Sequence, residues 1–377
     1  MPAGRAKAHL RPAYLSPMPL PHPPGLREQV PLAPLTTLGL GGPARWFLDA
    51  PDESAIRSGL AWARDAGVRV VILGGGSNVV VPDAGIDGLV LRVSVPGLTF
   101  STAGGTVVVD AGAGVAWDDL VAGAVRRGAA GVECLSGIPG TVGGTPIQNV
   151  GAYGQEVAET IVAVRALDRN SLEPLTFTGP ECRFAYRWSR FKGGDRERWI
   201  ITGVRYELRQ SGAPTLRYPE LAKAVEAAGD VAGLAPDAAL ERVRDTVLAL
   251  RRSKGMVLDP SDPDTRSAGS FFMNPVLDPD GFAALERRWA EGGGTGGIPC
   301  FPAPGGVKVP AAWLIERAGF QKGYGGDGTR ISRRHTLALV NVGGTTAGLL
   351  ALADRIRSGV RERFAVDLER EPVVLAG

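Results

Sequence analysis

The sequence predicts a multidomain α+β protein, and three observations carry that reading. From Pro31 onward, short β-branched runs alternate with amphipathic helical stretches, the pattern of layered strands and helices. Composition shifts near Gln210-Ser-Gly-Ala-Pro214, and helical periodicity dominates beyond it. At 377 residues the chain exceeds one simple core, so two or three domains are expected. With 44% hydrophobic and 21% charged residues, it has the composition of a folded protein rather than a disordered one.

The elements follow in order. Residues 1 to about 27 are rich in Pro and Arg without apolar periodicity, which predicts a flexible extension; its apolar runs are too short for a signal peptide. Pro51-Asp-Glu-Ser opens a helix with Asp52 as N-cap, Ile56, Leu60 and Ala63 inward, and Gly67 as its stop. Val68–Leu73 reads as a buried strand, and Leu89–Val93 and Thr106–Asp110 as strands. Trp117–Arg127 reads as a helix closed by Gly128, and 160–168 and 199–208 as two more strands. Past the linker, Pro236–Lys254 is a helix with Leu240, Val243, Val247 and Leu250 on one face. Gly292–Gly297 reads as a flexible segment and Thr336–Val342 as a strand. Thr345–Phe364 reads as a helix behind a Thr N-cap.

Several chemistries are excluded early. Net charge is +3 and no long Lys/Arg run exists, so no nucleic-acid footprint is expected. No stretch approaches the ~18 apolar residues that span a membrane. The three cysteines, Cys134, Cys182 and Cys300, lack metal spacing and suggest a reducing, cytoplasmic setting. Of three histidines, His9 and His22 lie in the tail, leaving His335, read as a core or surface residue. A His-built metal site and a Ser-His-Asp triad are both disfavoured, and no metal is expected.

Two glycine-rich stretches stand out: Ile72-Leu-Gly-Gly-Gly-Ser-Asn78, and Gly137 to Gly154, GIPGTVGGTPIQNVGAYG. Glycine leaves N–H groups bare and accepts positive φ, so such loops cradle phosphate without lysine. Two of them suggest one extended phosphate-bearing cofactor held from two sides. Gln148, Asn149 and Tyr153 could hydrogen-bond its ring. Gly39-Leu-Gly-Gly-Pro-Ala44 matches the dinucleotide fingerprint on paper, but prolines occupy the leading strand and no helix follows directly.

Seven segments in series carry a resemblance: TTLGLGGPA (36–44), ILGGGSN (72–78), GIPGTVGGTPIQNVGAYG (137–154), FAYRWSRFK (184–192), AGSFFMNP (268–275), AAWLIERAGFQKG (311–323) and LEREPVVLAG (368–377). Over residues 30–377 the chain resembles the UDP-N-acetylenolpyruvoylglucosamine reductases, flavoenzymes that complete UDP-N-acetylmuramate for bacterial cell walls. The resemblance implies a vanillyl-alcohol-oxidase-type FAD-binding domain of two α/β subdomains, about 28–95 and 96–211. It also implies an α+β substrate domain over 212–364 and a segment, 365–377, returning to the active site. FAD is expected to be noncovalent, since no body histidine lies near either glycine loop. NADPH is the implied co-substrate, sharing the substrate's place, and the protein is expected to be a cytoplasmic monomer.

The implied cofactor residues are Ile72, Leu73, Gly74, Gly75, Gly76, Ser77 and Asn78, then Ser136, Gly137, Ile138, Pro139, Gly140, Gly143 and Gly144, with Asn149 and Gly151. Ser270 is implied to protonate C2 of the enolpyruvyl group as hydride from the flavin reaches C3. Arg187 would fork onto the substrate carboxylate and, with Glu371, hold the enolate charge. Glu369 lies two residues from Glu371, so spacing alone does not choose between them; the resemblance favours Glu371. Tyr186, Tyr218, Lys254, Asn274 and Lys322 are implied substrate residues, with the lysines and Asn274 at the diphosphate. Phe301 stands where one branch of the family carries a uridine-stacking tyrosine on a clamp, so a hydroxyl contact is lost there. The segment 255–266 also looks longer than usual, which unsettles the placement of Lys254. Two alternatives remain: a hydroxy-acid oxidase of the same fold, and a non-catalytic sensor of nucleotide sugars.

Overall fold

A computed structural model describes residues 21–229 and 231–377. The expected flexible extension falls mostly outside them, but its described end is packed. The His22 ring meets Trp46 and Trp62 edge-on at 5.2 and 5.7 Å.

The first layer is a four-stranded sheet in the order 27–31, 43–50, 86–93, 70–73, antiparallel at its first pair and parallel thereafter. Helix α1 (Glu53–Asp65) covers it, and Asp52 caps the helix by accepting the Ala55 N–H at 2.8 Å. Strand 70–73 is half-buried rather than buried, because it is the sheet's edge and its outer side lines a large cavity. The GLGGPA segment runs into strand 43–50, not a helix. The carbonyls of Leu38, just before it, and Gly39, its first residue, accept the Asn341 amide, so it serves as a junction between domains.

A second, antiparallel sheet follows, ordered 174–178, 161–168, 199–210, 106–112, 98–103. Helix α2 (Trp117–Val125) packs on it with Leu120, Val121 and Ala124 fully buried. One hydrophobic core runs from Leu48 and Ile56 through Leu120 to Val204, so the two subdomains are fused through shared side chains.

The composition shift at 210–214 does not mark where the core changes. Helices α3 (Pro219–Ala228) and α4 (Pro236–Ser253) pack Leu221, Val225, Val243 and Val247 against Cys134, and Leu240 enters the first core. Arg244 of α4 forks onto Asp118 of α2 with both bonds at 2.7 Å, and Asp118 also accepts the Gly137 N–H at 2.6 Å. The segment 212–253 therefore belongs physically with the first domain, against the expected boundary at 212. The linker itself is pinned, since buried Glu133 accepts the Thr215 N–H at 2.7 Å.

The C-terminal core runs from Ala268 to Leu368 and also takes in Leu38, Leu40 and Val80 of the N-terminal half. It joins a three-stranded sheet (267–270, 338–341, 329–331) to helices α5 (Pro279–Glu291), α6 (Ala311–Arg317) and α7 (Thr346–Phe364). A small sheet pairs 276–277, 306–308 and 301–303. The N-terminus of α7 is capped by Thr345 and by Asp83 of the first domain, whose two oxygens accept the Thr346 and Ala347 N–H groups at 2.7 and 2.8 Å. Gly292–Gly297 wraps Trp289, whose indole N–H donates to the Gly296 carbonyl at 3.1 Å, so this segment is anchored, not free.

Asp118 holds both a glycine-loop amide and a helix of another layer. Asp118→Ala is expected to lower stability to urea by ~1–2 kcal/mol, since both partners stay partly solvated. A loss below about 0.3 kcal/mol in equilibrium unfolding would contradict that role.

Candidate active site

The cavity between the domains has a volume of about 1320 Å³, above the ~300–1,000 Å³ usual for one drug-sized ligand. Its walls come from 69–79, from 138–153 of the second glycine stretch, from 187–192, from 268–270, and from the returning segment 369–376. The two glycine loops touch where side chains would forbid it. A Cβ on Gly75 would lie 2.6 Å from the Gly140 Cα, and Gly140 itself has φ +116°. On the same wall, the buried Thr141 hydroxyl has no hydrogen-bond partner among the described residues. A bare-backbone cradle with an orphan hydroxyl fits a phosphate-bearing cofactor.

Of the predicted cofactor residues, Ile72 through Asn78, Ile138, Pro139, Gly140, Gly143, Gly144 and Gly151 line this cavity. Ser136, Gly137 and Asn149 do not. The Ser136 hydroxyl is buried and donates to the Glu133 carbonyl at 2.6 Å. The Gly137 N–H is spent on Asp118. Asn149 is 1% exposed and bonds Glu156, Ala185 and Ala158, so it fastens the loop from behind.

The chemistry-bearing residues meet through the returning segment. Val373–Val374 pairs in parallel with Val79–Val80, just past the first glycine loop. The Glu371 N–H donates to the Phe271 carbonyl at 3.0 Å, and the Met273 N–H to Glu369 at 2.9 Å. Glu371 is thereby held beside Ser270 on strand 267–270, and both line the cavity.

Arg187 and Tyr186 sit at the tip of a tight turn closed by two 3.0 Å bonds between Ala185 and Trp188. Arg187 has φ +52°, a conformation costly for a side-chain-bearing residue. Its guanidinium donates to the Gly151 carbonyl at 2.7 Å and pairs with Glu371 at 3.2 Å. Gln148 donates to the same carboxylate oxygen at 3.3 Å and is oriented by the Asn78 amide at 2.8 Å. Lys192 reaches the Arg187 carbonyl at 3.0 Å. Burial lifts the Glu371 carboxyl above the ordinary glutamate range, and Arg187 and Lys192 offset this in part. Glu369 also lines the cavity but is exposed, whereas Glu371 is half-buried and held in a hydrogen-bonded network.

At another region of the wall, Tyr153, Tyr218, Arg251, Lys254 and His335 gather. The Tyr153 and Tyr218 rings meet edge-on at 5.6 Å, and the Lys254 ammonium lies 5.6 Å from the Tyr153 ring. Lys254 lines the cavity here, and the longer 255–266 segment folds back through Asp262 and Asp264 onto Arg334 and Ser332.

Four predicted substrate residues lie off the wall. Asn274 caps α6 by accepting the Ala311 N–H at 2.9 Å, and it also bonds the Tyr186 hydroxyl. Tyr186 packs its ring near Arg187 and the Lys308 ammonium. Lys322 is exposed. Phe301 is 55% exposed on the small hairpin 301–308. His335, read from the sequence as a core or surface residue, and Arg251, which the sequence did not single out, both line this wall. A lone histidine and one arginine in an arginine-rich helix carry no periodic signal.

Fold and cavity together define an FAD-dependent oxidoreductase with a vanillyl-alcohol-oxidase-type cofactor domain. Residues 47–171 match the FAD binding domain family, and residues 260–375 match the C-terminal domain of UDP-N-acetylenolpyruvoylglucosamine reductase. The reductase of Thermobifida fusca is 50% identical, covering 92% of this chain and 97% of its own. That of Streptomyces coelicolor is 47% identical, covering 99% and 96%. The crystal structure of the Thermus caldophilus reductase superposes with a TM-score of 0.62 at 26% identity, over 93% of this chain and all of the other. This chain belongs to the UDP-N-acetylenolpyruvoylglucosamine reductase family.

The close approach of Gly75 to Gly140 gives a direct test. Gly75→Ala forces the two loops apart and is expected to weaken FAD binding at least ten-fold, about 1.4 kcal/mol, read from flavin absorbance retained after dialysis. Unchanged retention would contradict the cradle.

Proposed function

We propose that this protein reduces UDP-N-acetylglucosamine enolpyruvate to UDP-N-acetylmuramate, with NADPH as reductant and FAD as bound cofactor. The observation that supports this is that Ser270, Arg187 and Glu371 line the same cavity as the glycine cradle. FAD, which the loops Ile72–Asn78 and Ile138–Gly144 would hold, would supply the two-electron chemistry that links NADPH to the enolpyruvyl double bond.

The protein's residues handle charge and proton. Arg187, already forked between Gly151 and Glu371, binds the substrate carboxylate as negative charge grows there. Glu371, kept protonated to higher pH than an ordinary glutamate, donates a hydrogen bond to the enolate-like carboxylate. Ser270, set in a strand beside Gly269 at φ +73°, gives its proton to C2. Phe271 and Phe272, 0% and 1% exposed, back this strand with a dry layer. Lys254 is read as a ligand of the UDP diphosphate.

The reading extends to a cytoplasmic monomer acting on small molecules, without nucleic-acid or membrane partners. It accords with a net charge of only +3. Among the described residues, no helix is long and apolar enough to cross a membrane. The hydroxy-acid oxidase and sensor alternatives lack support, because neither needs Ser270 and Glu371 together on the cavity.

Ser270→Ala is expected to leave flavin reduction by NADPH intact and to slow flavin reoxidation by substrate by ~10²–10⁴-fold, measured by stopped-flow absorbance. Equal loss in both half-reactions would contradict the assignment. Glu371 loses its proton as pH rises through its raised pKa, so kcat should fall on the alkaline side. That limb should vanish in Glu371→Gln; a limb that persists unshifted would exclude Glu371 as its source.

A further inference from the structure

The end of the cavity near Lys254 is rich in cations. Arg251 of α4 is 9% exposed, and its Nε has no hydrogen-bond partner among the described residues. Lys254 pairs with Glu220 of α3 at 2.7 Å. Lys322 approaches from the segment after α6, close enough to act on His335. The half-buried His335 imidazole lines the cavity among them, and its ring has no hydrogen-bond partner among the described residues.

The position of His335 is built. Asp264, 6% exposed, accepts the Ser332 hydroxyl at 2.6 Å and the Arg333 N–H at 3.2 Å. The Ser332 oxygen in turn accepts the N–H groups of Arg334 and His335 at 3.0 and 3.2 Å. Arg330 braces Asp264 from the preceding strand. A buried carboxylate and a fully buried serine thus fix a four-residue turn whose last side chain enters the cavity.

We infer that His335 is a further ligand-recognition residue of this cavity, binding the diphosphate of the nucleotide substrate and taking up a proton as it does so. The inference rests on the reading of Lys254 as the diphosphate end of the site. Burial first, then Lys254 and Lys322, push His335 down to about 4, so the free site holds a neutral imidazole near pH 7. The groups that face it are Arg251 and Lys254 from α4, Glu220 from α3 and Lys322 after α6; Arg333, Arg334 and, through Ser332, Asp264 belong to its own turn. Among the facing groups Glu220 favours the imidazolium, and it is engaged with Lys254. An arriving diphosphate offsets the cations and favours the imidazolium. Affinity therefore rises as pH falls through the pKa of the bound form, and levels off near that of the free form.

The test uses FAD-loaded enzyme and UDP-N-acetylglucosamine, a diphosphate probe lacking the carboxylate that would engage Glu371. Calorimetry at about pH 6 in two buffers of unlike ionisation heat reads proton uptake directly. Wild type should take up a fraction of a proton. His335→Gln should take up none and bind about ten-fold more weakly, with flavin content unchanged as the control for folding. Asp264→Asn, which loosens the turn, should shift affinity the same way while keeping uptake. Equal uptake and affinity in wild type and His335→Gln would overturn the inference. If Lys254→Ala also binds the probe as tightly as wild type, the diphosphate reading itself fails; if it binds weakly, only the role of His335 fails. KM values for NADPH and for the enolpyruvyl sugar then tell the sources apart. A rise in the second alone assigns His335 to the UDP sugar; a rise in both supports a shared diphosphate place; a rise in NADPH alone contradicts the substrate assignment.

Discussion

Glu371 is a carboxyl group in a place that disfavours its charge, and the backbone on both sides of it is tied elsewhere. On one side, Glu369 and Glu371 hydrogen-bond to Met273 and Phe271, just past the strand that ends in Ser270. Downstream, the Val373 and Leu375 N–H groups donate to Asn78 and Val80, at the exit of the first glycine loop. Four backbone bonds therefore stretch one short segment between the cofactor cradle and the substrate domain. A side chain held that way has little freedom to reach water. Its charge must be answered locally, and Arg187 at 3.2 Å with Gln148 at 3.3 Å does so.

The rest of the site depends on that arrangement. Arg187 reaches Glu371 only because its turn holds φ +52°, a strain supported by bonds to Gly151 and by the Lys192 contact with its carbonyl. Asn78 serves twice, orienting Gln148 while its own backbone receives the C-terminal strand. The two glycine loops, Arg187 and Glu371 are thus joined in one hydrogen-bonded network. The domains are fastened by similar exchanges, with Asp83 capping α7 and Asn341 holding the carbonyls of the GLGGPA junction.

Much of this was legible from residues. Helix starts at Asp52 and Thr345 follow from capping chemistry, and both side chains accept the expected N–H. The glycine loops were legible because their function needs the absence of side chains, and Gly75 against Gly140 is the physical counterpart. What was not legible required knowledge of who faces whom. The apolar face of α4 was plain, but nothing in its spacing says that Val243 and Val247 meet Cys134 rather than the C-terminal core. Asn149 and Asn274 carry the same polar chemistry as a ligand contact, yet both are consumed by neighbouring backbone and side chains. His335 carried no pattern, and it becomes visible only once the Asp264–Ser332 turn places it among the lysines.

The central claim is that Arg187 and Glu371 act as one unit on the developing charge. A double-mutant cycle with Arg187→Met, Glu371→Gln and the pair, read as the rate of flavin reoxidation by substrate in FAD-loaded enzyme, tests this directly. Residues acting as one unit lose most of their effect with the first substitution, so a coupling of at least ~1 kcal/mol is expected. Additivity within about 0.3 kcal/mol would mean that the two side chains work independently, and would contradict the account.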